Sequence, residues 1–241
     1  MKSQLVNIKK DHSTKNKNHL YSVLSKVFDD AITLPLIDQL LDQSCFLNQI
    51  EFYFNDDNQV IGFNSFRTFK LTFNSKTYYI SRGFSNIAKG FRGNKTAAIF
   101  VAKSVLKVKF KTLFSNKKHY FFFIASGVGN FYSSYKYLNQ KLLYPNIFAS
   151  IENEHYKQLA QTVIHHFDYQ ITDNNPIKIK DPYVIKERLD LNFNNKTSKE
   201  KAILSYFQNH SQSSENSLTT MVYINWQMIF SVCLRYLKIK I

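Results

Sequence analysis

Residues 87–97 read Ile87-Ala88-Lys89-Gly90-Phe91-Arg92-Gly93-Asn94-Lys95-Thr96-Ala97, and this stretch decides the fold. An alternating segment that fits a β-strand ends at Ile87, and apolar residues at helical spacing begin at Thr96. The first amide groups of a helix have no partner inside the helix, and the helix dipole adds partial positive charge there. A strand that leads through a glycine-containing turn into a helix is therefore typical of a phosphate-binding site.

The residues of this turn suit a phosphate, but the two most familiar phosphate motifs do not match it. Gly90 and Gly93 allow tight turning and close approach of a ligand. Arg92 and Lys95 add positive charge. The Gly-x4-Gly-Lys-Ser/Thr loop is absent, and the glycine spacing excludes the Gly-x-Gly-x-x-Gly dinucleotide fingerprint. An ordinary strand-to-helix turn is the alternative interpretation.

Before the turn, the sequence predicts two helices and then an antiparallel meander of three strands. Leu20, Val23 and Leu24 recur at helical spacing. The segment Val60–Phe73 alternates between apolar and polar residues, and polar turns separate it from its neighbours. Residues 1–18 are polar and basic, so we expect a flexible basic tail there. The predicted elements are helices His19–Asp29 and Leu34–Gln43 and strands Gln49–Phe54, Val60–Phe73 and Thr77–Ile87.

After the turn, the segment His119–Ala125 is almost wholly hydrophobic, which is typical of a central strand covered on both faces. The order of elements predicts the α/β (α+β) class, with a mixed, mostly antiparallel central sheet flanked by helices. We expect a single domain over residues 19–241, with its core at about 45–145 and a C-terminal extension at about 150–241. The other predicted elements are helices Thr96–Phe110, Phe131–Leu142, Glu152–Phe167, Ala202–Asn209 and Trp226–Leu237, strand Leu218–Ile224 and a loop at Asn174–Asp181.

The composition indicates a folded and strongly basic protein. Aromatic residues make up 16% of the 241 residues, which is far more than a disordered chain contains. The 32 lysines and arginines against 17 acidic residues give a net charge of +15. Such a surface attracts phosphates on nucleic acids, anionic lipids or a nucleotide-bearing cofactor. The same charge is also typical of a soluble domain from a lysine-rich proteome.

Cysteine content and hydropathy bear on the compartment. Cys45 and Cys233 match no metal-binding spacing, and the usual disulfide frameworks need more cysteines. We therefore expect no metal site. Residues 1–18 lack the apolar core of a secretory signal, and no run of about 18 apolar residues is present. We expect a cytoplasmic protein without a transmembrane segment.

The turn and the order of elements resemble the GNAT-type N-acyltransferase superfamily. Its phosphate motif is Arg-Gly-x-Gly-x-Gly/Ala, and residues 92–97 match the first, second and sixth positions. Lys95 stands where the fourth position is normally glycine, so its side chain either crowds the pyrophosphate or binds it. The resemblance covers roughly residues 45–145 and implies a GNAT-like acyl-CoA N-acyltransferase fold. It implies that the donor contacts Ile87, Ala88, Arg92, Gly93, Asn94, Lys95, Thr96, Ala97 and Asn130.

A second stretch, residues 130–138, resembles the superfamily's Asn-x-x-Ala-x-x-x-Tyr segment. The tyrosine of that segment often protonates the leaving thiolate. Counting from Asn130 places Tyr137 in this role, with Tyr135 in reserve. A phenol beside a departing sulfur can donate a proton at neutral pH. The alternative is that both are simply members of a set of 15 tyrosines.

Three further positions carry predictions about chemistry. Direct attack by an amine needs a proton acceptor, and Glu51 is the best-placed carboxylate, with loss of the proton through waters as the alternative. Arg82 is expected to face inward with a structural carboxylate as its partner. The adjacent pair His165-His166 lacks the i, i+4 spacing of a metal site and is expected at the surface.

Together these observations predict an enzyme of the acyltransferase class. It would move an acyl group from acetyl-CoA, a longer acyl-CoA or an acyl-carrier protein to an amine acceptor by direct attack. A basic surface would suit an acidic carrier protein as well as CoA. The alternative is a catalytically inactive protein of the same fold that binds nucleic acid or an anionic surface through its positive charge. In that case the basic, aromatic strands from Phe66 to Tyr79 would stack bases.

Overall fold

A computed structural model of the protein describes residues 2–10, 13–88, 96–125, 128–137, 140–149, 153–180, 196–210 and 216–230. The chain divides into two compact units. The first unit comprises Met1–Thr72 and Lys76–Lys117, and the second comprises Phe73–Ser75 and Lys118–Ile241.

The first unit contains the predicted meander, extended by one more strand. Glu51 of β2 pairs with Leu5 of β1 on one side and with Asn64 of β3 on the other, antiparallel in both cases. β4 returns along β3 through Asn74 and Ser75, whose φ angles of 48° and 59° suit a tight hairpin. The strands lie in the order β1-β2-β3-β4. The elements are β1 (Lys2–Asn7), α1 (Thr14–Leu24), α2 (Asp30–Leu40), β2 (Leu47–Phe54), β3 (Val60–Phe73), β4 (Lys76–Ile87) and α3 (Thr96–Lys111).

Helices cover both faces of this sheet. Side chains alternate between the two faces along each strand, so neighbouring residues of one strand face different helices. α1 lies on one face, where the rings of His19 and Phe52 are 5.3 Å apart between centroids. α3 lies on the other face, where Phe100 is buried and lines a cleft together with Glu51 and Tyr53. The sheet thus separates the side of α1 from the side of α3.

The sequence predicts a flexible basic tail over residues 1–18, and the described residues in this range include a strand and the start of a helix. β1 pairs with β2 from Lys2 to Asn7, and α1 begins at Thr14. Within β1 only Val6 is buried, and Ile8 directly after it is also buried. The strand forms because β2 offers a free edge for backbone hydrogen bonds, and a mostly polar edge strand gives no hydrophobic pattern in the sequence.

The second unit is built around β9, which pairs with strands on both of its edges. β5 is antiparallel to β9 along one edge, with Phe122 opposite Met221. β8 and the short β6 pair with β9 along its other edge, and β7 pairs with β8. The elements are β5 (His119–Ala125), α4 (Val128–Tyr137), β6 (Leu143–Tyr144), α5 (Glu154–His166), β7 (Ile171–Asn174), β8 (Ile177–Lys180), α6 (Ser198–His210) and β9 (Asn216–Ile224).

The predicted loop at Asn174–Asp181 instead contains the end of one hairpin strand and the whole of the next. β7 and β8 flank Asn175 and Pro176, and the side chains of Ile177 and Ile179 are completely buried. The alternation of isoleucine and lysine in β8 spans four residues. That length is too short for periodicity alone to distinguish a strand from a loop.

The predicted class is confirmed, since largely antiparallel strands are flanked by helices. β3 and β5 have the predicted bounds, and α3 begins at the predicted Thr96. The single domain predicted over residues 19–241 stays a prediction. Among the described residues, no helix is long and apolar enough to cross a membrane.

Candidate active site

The end of β4 lies against β3 with no room for a side chain between them. The amide of Ala88 donates to the carbonyl oxygen of Ile61 at 2.9 Å. A Cβ added to Gly62 would lie 2.8 Å from both the Asn86 carbonyl oxygen and the Ile87 Cα. Gly62 therefore permits β4 to run beside β3 as far as Ile87. A glycine on the neighbouring strand thus fixes the strand end that we predict to meet the acyl donor.

The two predicted backbone contacts at this strand end are not equivalent. The N–H of Ala88 is already used by Ile61 within the sheet. Backbone groups of successive residues point to opposite edges of a strand, so the peptide groups of Ile87 point away from β3. The contacts of Ile87 and Ala88 with a donor stay predictions.

Most of the predicted phosphate site lies outside the described residues. α3 begins at Thr96 and continues through Ala97, but the side chains of these two residues are not described. Asn130 and Tyr137 belong to α4, and their side chains are likewise outside the described set. The roles of these four residues stay predictions. The same holds for the four residues of the turn itself, Arg92, Gly93, Asn94 and Lys95.

Glu51, the predicted proton acceptor, ends a chain of hydrogen bonds on one face of the first sheet. The Tyr53 hydroxyl donates to Glu51 Oε2 at 2.5 Å and accepts from Asn64 Nδ2 at 2.6 Å. Tyr53 and Asn64 are buried, whereas Glu51 is only half-buried. The buried pair therefore holds the carboxylate in one position. Within the described part of the chain, Glu51 Oε1 takes part in no hydrogen bond.

The carboxylate of Glu51 lines an open cleft of about 350 Å³ between the β1–β2 edge and α3. Lys103 and Lys107 of α3 line the same cleft, and Phe100 contributes an apolar wall. A cleft that combines an anchored carboxylate, two ammonium groups and apolar surface suits a small ligand with charged groups of both signs. The cleft therefore brings one predicted residue, Glu51, together with cations that the sequence did not single out.

Sequence reasoning also missed Tyr53, Asn64 and Gly62. The spacing of Glu51 and Tyr53 at i and i+2 on one strand was an available signal, since such residues share a face. Asn64 lies 11 residues from Tyr53 in the chain, and only the register of β2 and β3 brings them together. No pattern in the sequence distinguishes Gly62 from a glycine in a looser part of a strand.

Tyr135, the reserve proton donor, is fully buried in the second unit. Its hydroxyl donates to the carbonyl oxygen of Pro145 at 2.6 Å. Its ring lies 4.3 Å from that of Phe131 between centroids. This geometry gives the hydroxyl a structural hydrogen bond, and the catalytic role of Tyr135 stays a prediction.

Tyr135→Phe is therefore expected to lower the free energy of unfolding by about 1–3 kcal/mol, because the buried Pro145 carbonyl loses its donor. The measurement is a urea titration followed by circular dichroism. The matched control is Tyr21→Phe, since Tyr21 is 41% exposed and its hydroxyl donates to Asp30 at the surface. Equal and small effects of both substitutions would contradict the structural role of Tyr135.

Tyr132, in the same helix as Tyr135, has charged surroundings. Its hydroxyl donates to Glu200 Oε1 of α6, and Lys136 Nζ lies 2.7 Å from the same oxygen. Thr197 N and Oγ1 each donate to Glu200 Oε2 at 2.9 Å, which caps α6. Donation from Lys136, then Tyr132 and Thr197, holds the pKa of Glu200 well below its usual range. The cluster ties α4 to α6.

The remaining predicted residues have the following environments. Arg82 is buried, with 4% exposure, as expected for an inward-facing arginine. His165 and His166 are exposed, as predicted.

Cys45 is a buried thiol. Burial, and then the neighbouring Asp42 carboxylate, raise the pKa of Cys45 to about 12, so this thiol is unreactive at neutral pH.

No family model matches the chain, and no curated protein matches its sequence. Solved structures do match. A GNAT family N-acetyltransferase of Escherichia coli, solved with CoA, is 15% identical, with a TM-score of 0.38 over 55% of this chain and 67% of that one. An aminoglycoside 6'-N-acetyltransferase of Acinetobacter haemolyticus is 16% identical, with a TM-score of 0.34 over 50% of this chain and 77% of that one.

A third structure is similar over a longer stretch. A protein of Streptococcus mutans UA159 is 9% identical and covers 93% of this chain and 100% of its own, with a TM-score of 0.41.

Proposed function

We propose that the protein transfers an acyl group from a phosphopantetheine thioester, CoA in the simplest case, to an amine. The observation that carries this proposal is the pair of elements on either side of residues 89–95, together with the sequence between them. β4 ends at Ile87 beside Gly62, and a 16-residue helix begins at Thr96. The intervening sequence includes Arg92, Gly93 and Lys95, so positively charged residues directly precede the start of a helix, where amides lack partners inside the helix.

The proposed donor contacts follow from this path. The amides from Arg92 to Ala97 would hold the pyrophosphate, with Lys95 as an additional cation in place of the usual glycine. The backbones of Ile87 and Ala88 would offer hydrogen-bonding groups to the pantetheine arm. Ala88 contributes through the sheet, because its N–H already donates to Ile61.

The proposed reaction is a direct displacement. The amine nitrogen attacks the thioester carbonyl carbon and a C–N bond forms. The tetrahedral intermediate then collapses and the C–S bond breaks. The thiolate takes a proton from Tyr137, and the attacking nitrogen loses one proton to Glu51 or to water, so that the products are an amide and a free thiol. No covalent intermediate on the protein is required.

The position of Glu51 sets a condition on this scheme. Glu51 pairs with Asn64 of β3, and β4 lies one strand further along the sheet. Adjacent strands are about 4.8 Å apart, so Glu51 lies roughly 10 Å from β4. Glu51 can therefore take the amine proton only through a bridging water, or directly from an amine substrate that reaches into the cleft lined by Glu51.

The rival function, binding of nucleic acid by aromatic strands, has less support from the geometry. Phe66, Tyr78 and Tyr79 are at most 6% exposed. Stacking of bases requires an accessible ring face. These three rings form part of the core instead.

The proposal is tested by release of free thiol from acetyl-CoA and from long-chain acyl-CoA in the presence of amine acceptors. Tyr137→Phe is expected to slow turnover by roughly 100-fold while donor affinity stays unchanged, because the phenol acts only on the leaving group. Donor affinity is measured by calorimetry on the same preparation. Unchanged turnover would reject the role of Tyr137.

A further inference from the structure

The solvent side of the C-terminal end of α3 carries large apolar side chains. Phe110 is 65% exposed, Leu113 is 50% exposed and Phe114 is 100% exposed. Helical hydrogen bonds continue past Lys111, because Leu113 N donates to Phe110 O and Ser115 N donates to Thr112 O. Residues at i, i+3 and i+4 of such a turn share one side. The three side chains therefore form one protruding apolar patch.

The opposite side of the same helix packs into the core of the first unit, which keeps this patch at the surface. Val108 is completely buried and Thr112 is 7% exposed. Thr112 Oγ1 also donates to the carbonyl oxygen of Val108 at 2.8 Å. Because these residues fix the helix to the core of the first unit, Phe110 and Phe114 cannot turn inward without unpacking it.

Lysines lie next to the patch along the helix: Lys107 and Lys111 lie three residues before Phe110 and Phe114 in α3 and its continuation. Burial, followed by the charges of Lys111 and Lys10, lowers the pKa of Lys107. Lys111 Nζ lies 5.9 Å from the centre of the Phe46 ring.

Two further lysines extend this positive region. Lys70 Nζ lies 5.4 Å from the same Phe46 ring. Lys117 Nζ lies 6.0 Å from the Tyr79 ring, which itself packs against Phe46. In the described part of the chain, none of the five lysines forms an ion pair with a carboxylate. The region therefore combines uncompensated positive charge with exposed apolar surface.

We propose that this region, the α3 docking surface (Phe110, Leu113 and Phe114 with Lys107, Lys111 and Lys117), binds an anionic lipid bilayer. Aromatic and leucine side chains that protrude between lysines are typical of segments that insert into the boundary between headgroups and acyl chains. The lysines meet the negative potential of the headgroups while the apolar side chains pass between them. Neither step depends on acyl transfer.

The shape of the surface favours a bilayer over the other polyanions. A nucleic acid offers phosphates to the lysines but no apolar environment for Leu113 beside two phenylalanines. A stable protein–protein interface covers about 800 Å² on each partner, far more than three side chains supply. The headgroups of an anionic bilayer suit the lysines, and its acyl chains suit the small exposed apolar patch.

The first test is sedimentation of the full chain with vesicles of phosphatidylcholine that contain about 30% phosphatidylserine, compared with phosphatidylcholine alone. We expect binding to the anionic vesicles only. The double variant Phe110→Ser with Phe114→Ser is expected to lose at least about tenfold in vesicle affinity. The control is Phe230→Ser, a change at a phenylalanine that is 62% exposed in the second unit. Equal losses in both variants, or wild-type binding in the double variant, would overturn the proposal.

Charge and insertion are tested separately. Lys111→Glu with Lys117→Glu is expected to abolish the preference for anionic vesicles, and circular dichroism reports whether either variant is folded.

Trp226 is the single tryptophan, so Phe114→Trp in a Trp226→Phe background gives a reporter at the patch. Its emission is expected to shift to the blue on addition of anionic vesicles. No shift, or binding of RNA in place of vesicles through the same lysines, would contradict the proposal.

Discussion

Replacement of Gly62 by valine is expected to destabilise the protein and to weaken donor binding at the same time. Even the first added atom, the Cβ, would lie 2.8 Å from the Asn86 oxygen and the Ile87 Cα. Both atoms belong to the backbone, so no side chain can move aside and β4 must shift. Overpacking of this kind costs about 1–3 kcal/mol, which is roughly 5 °C in Tm for a chain of this size.

Thermal unfolding and donor titration on the same variant check this expectation. Ser85→Val is the matched control, because Ser85 is exposed on the same strand and accepts a β-branched side chain without a clash. We expect Gly62→Val to lower both Tm and donor affinity and Ser85→Val to lower neither. A Gly62→Val protein with wild-type Tm and wild-type affinity would show that the end of β4 is not held as described.

Glu51→Gln is expected to lower kcat/KM by at least about 100-fold, because an amide cannot accept the amine proton. Glutamine has nearly the shape of glutamate, so the fold and the donor affinity should be preserved. Tyr53→Phe should have a smaller effect in the same direction, since it removes the hydrogen bond that holds Glu51 Oε2.

The control for this prediction is Glu154→Gln. Glu154 is exposed in the first turn of α5, where it accepts from Gln158 at the surface. Acyl transfer rates over a range of amine concentrations separate effects on kcat from effects on KM. Wild-type activity in Glu51→Gln would leave solvent water as the proton acceptor and would remove Glu51 from the mechanism.

The parts of this molecule that local pattern specifies could be predicted from the sequence. The alternation of Val60–Phe73, the apolar run of His119–Ala125 and the helix start at Thr96 all lie within one element. Each depends on periodicity or on a glycine-containing turn, and these are properties of neighbouring residues.

The parts that depend on distant pairing could not be predicted in this way. β1 is a strand because β2 supplies its hydrogen-bond partners, and its sequence is mostly polar. Tyr132 meets Glu200 across 68 residues of chain, which no spacing rule reveals. The importance of Gly62 depends on the backbone of a neighbouring strand. Register and packing between elements therefore decide most of the candidate site.

Calorimetric titration with acetyl-CoA and with a long-chain acyl-CoA tests the proposed function most directly. The variant Phe110→Ser with Phe114→Ser is titrated in parallel, so that an acyl chain on the α3 docking surface is not mistaken for binding at the turn. We predict saturable binding of acetyl-CoA to both proteins, followed by release of free thiol when an amine acceptor is added. Absence of binding at millimolar donor, together with tight and salt-sensitive binding of nucleic acid, would contradict the acyltransferase function.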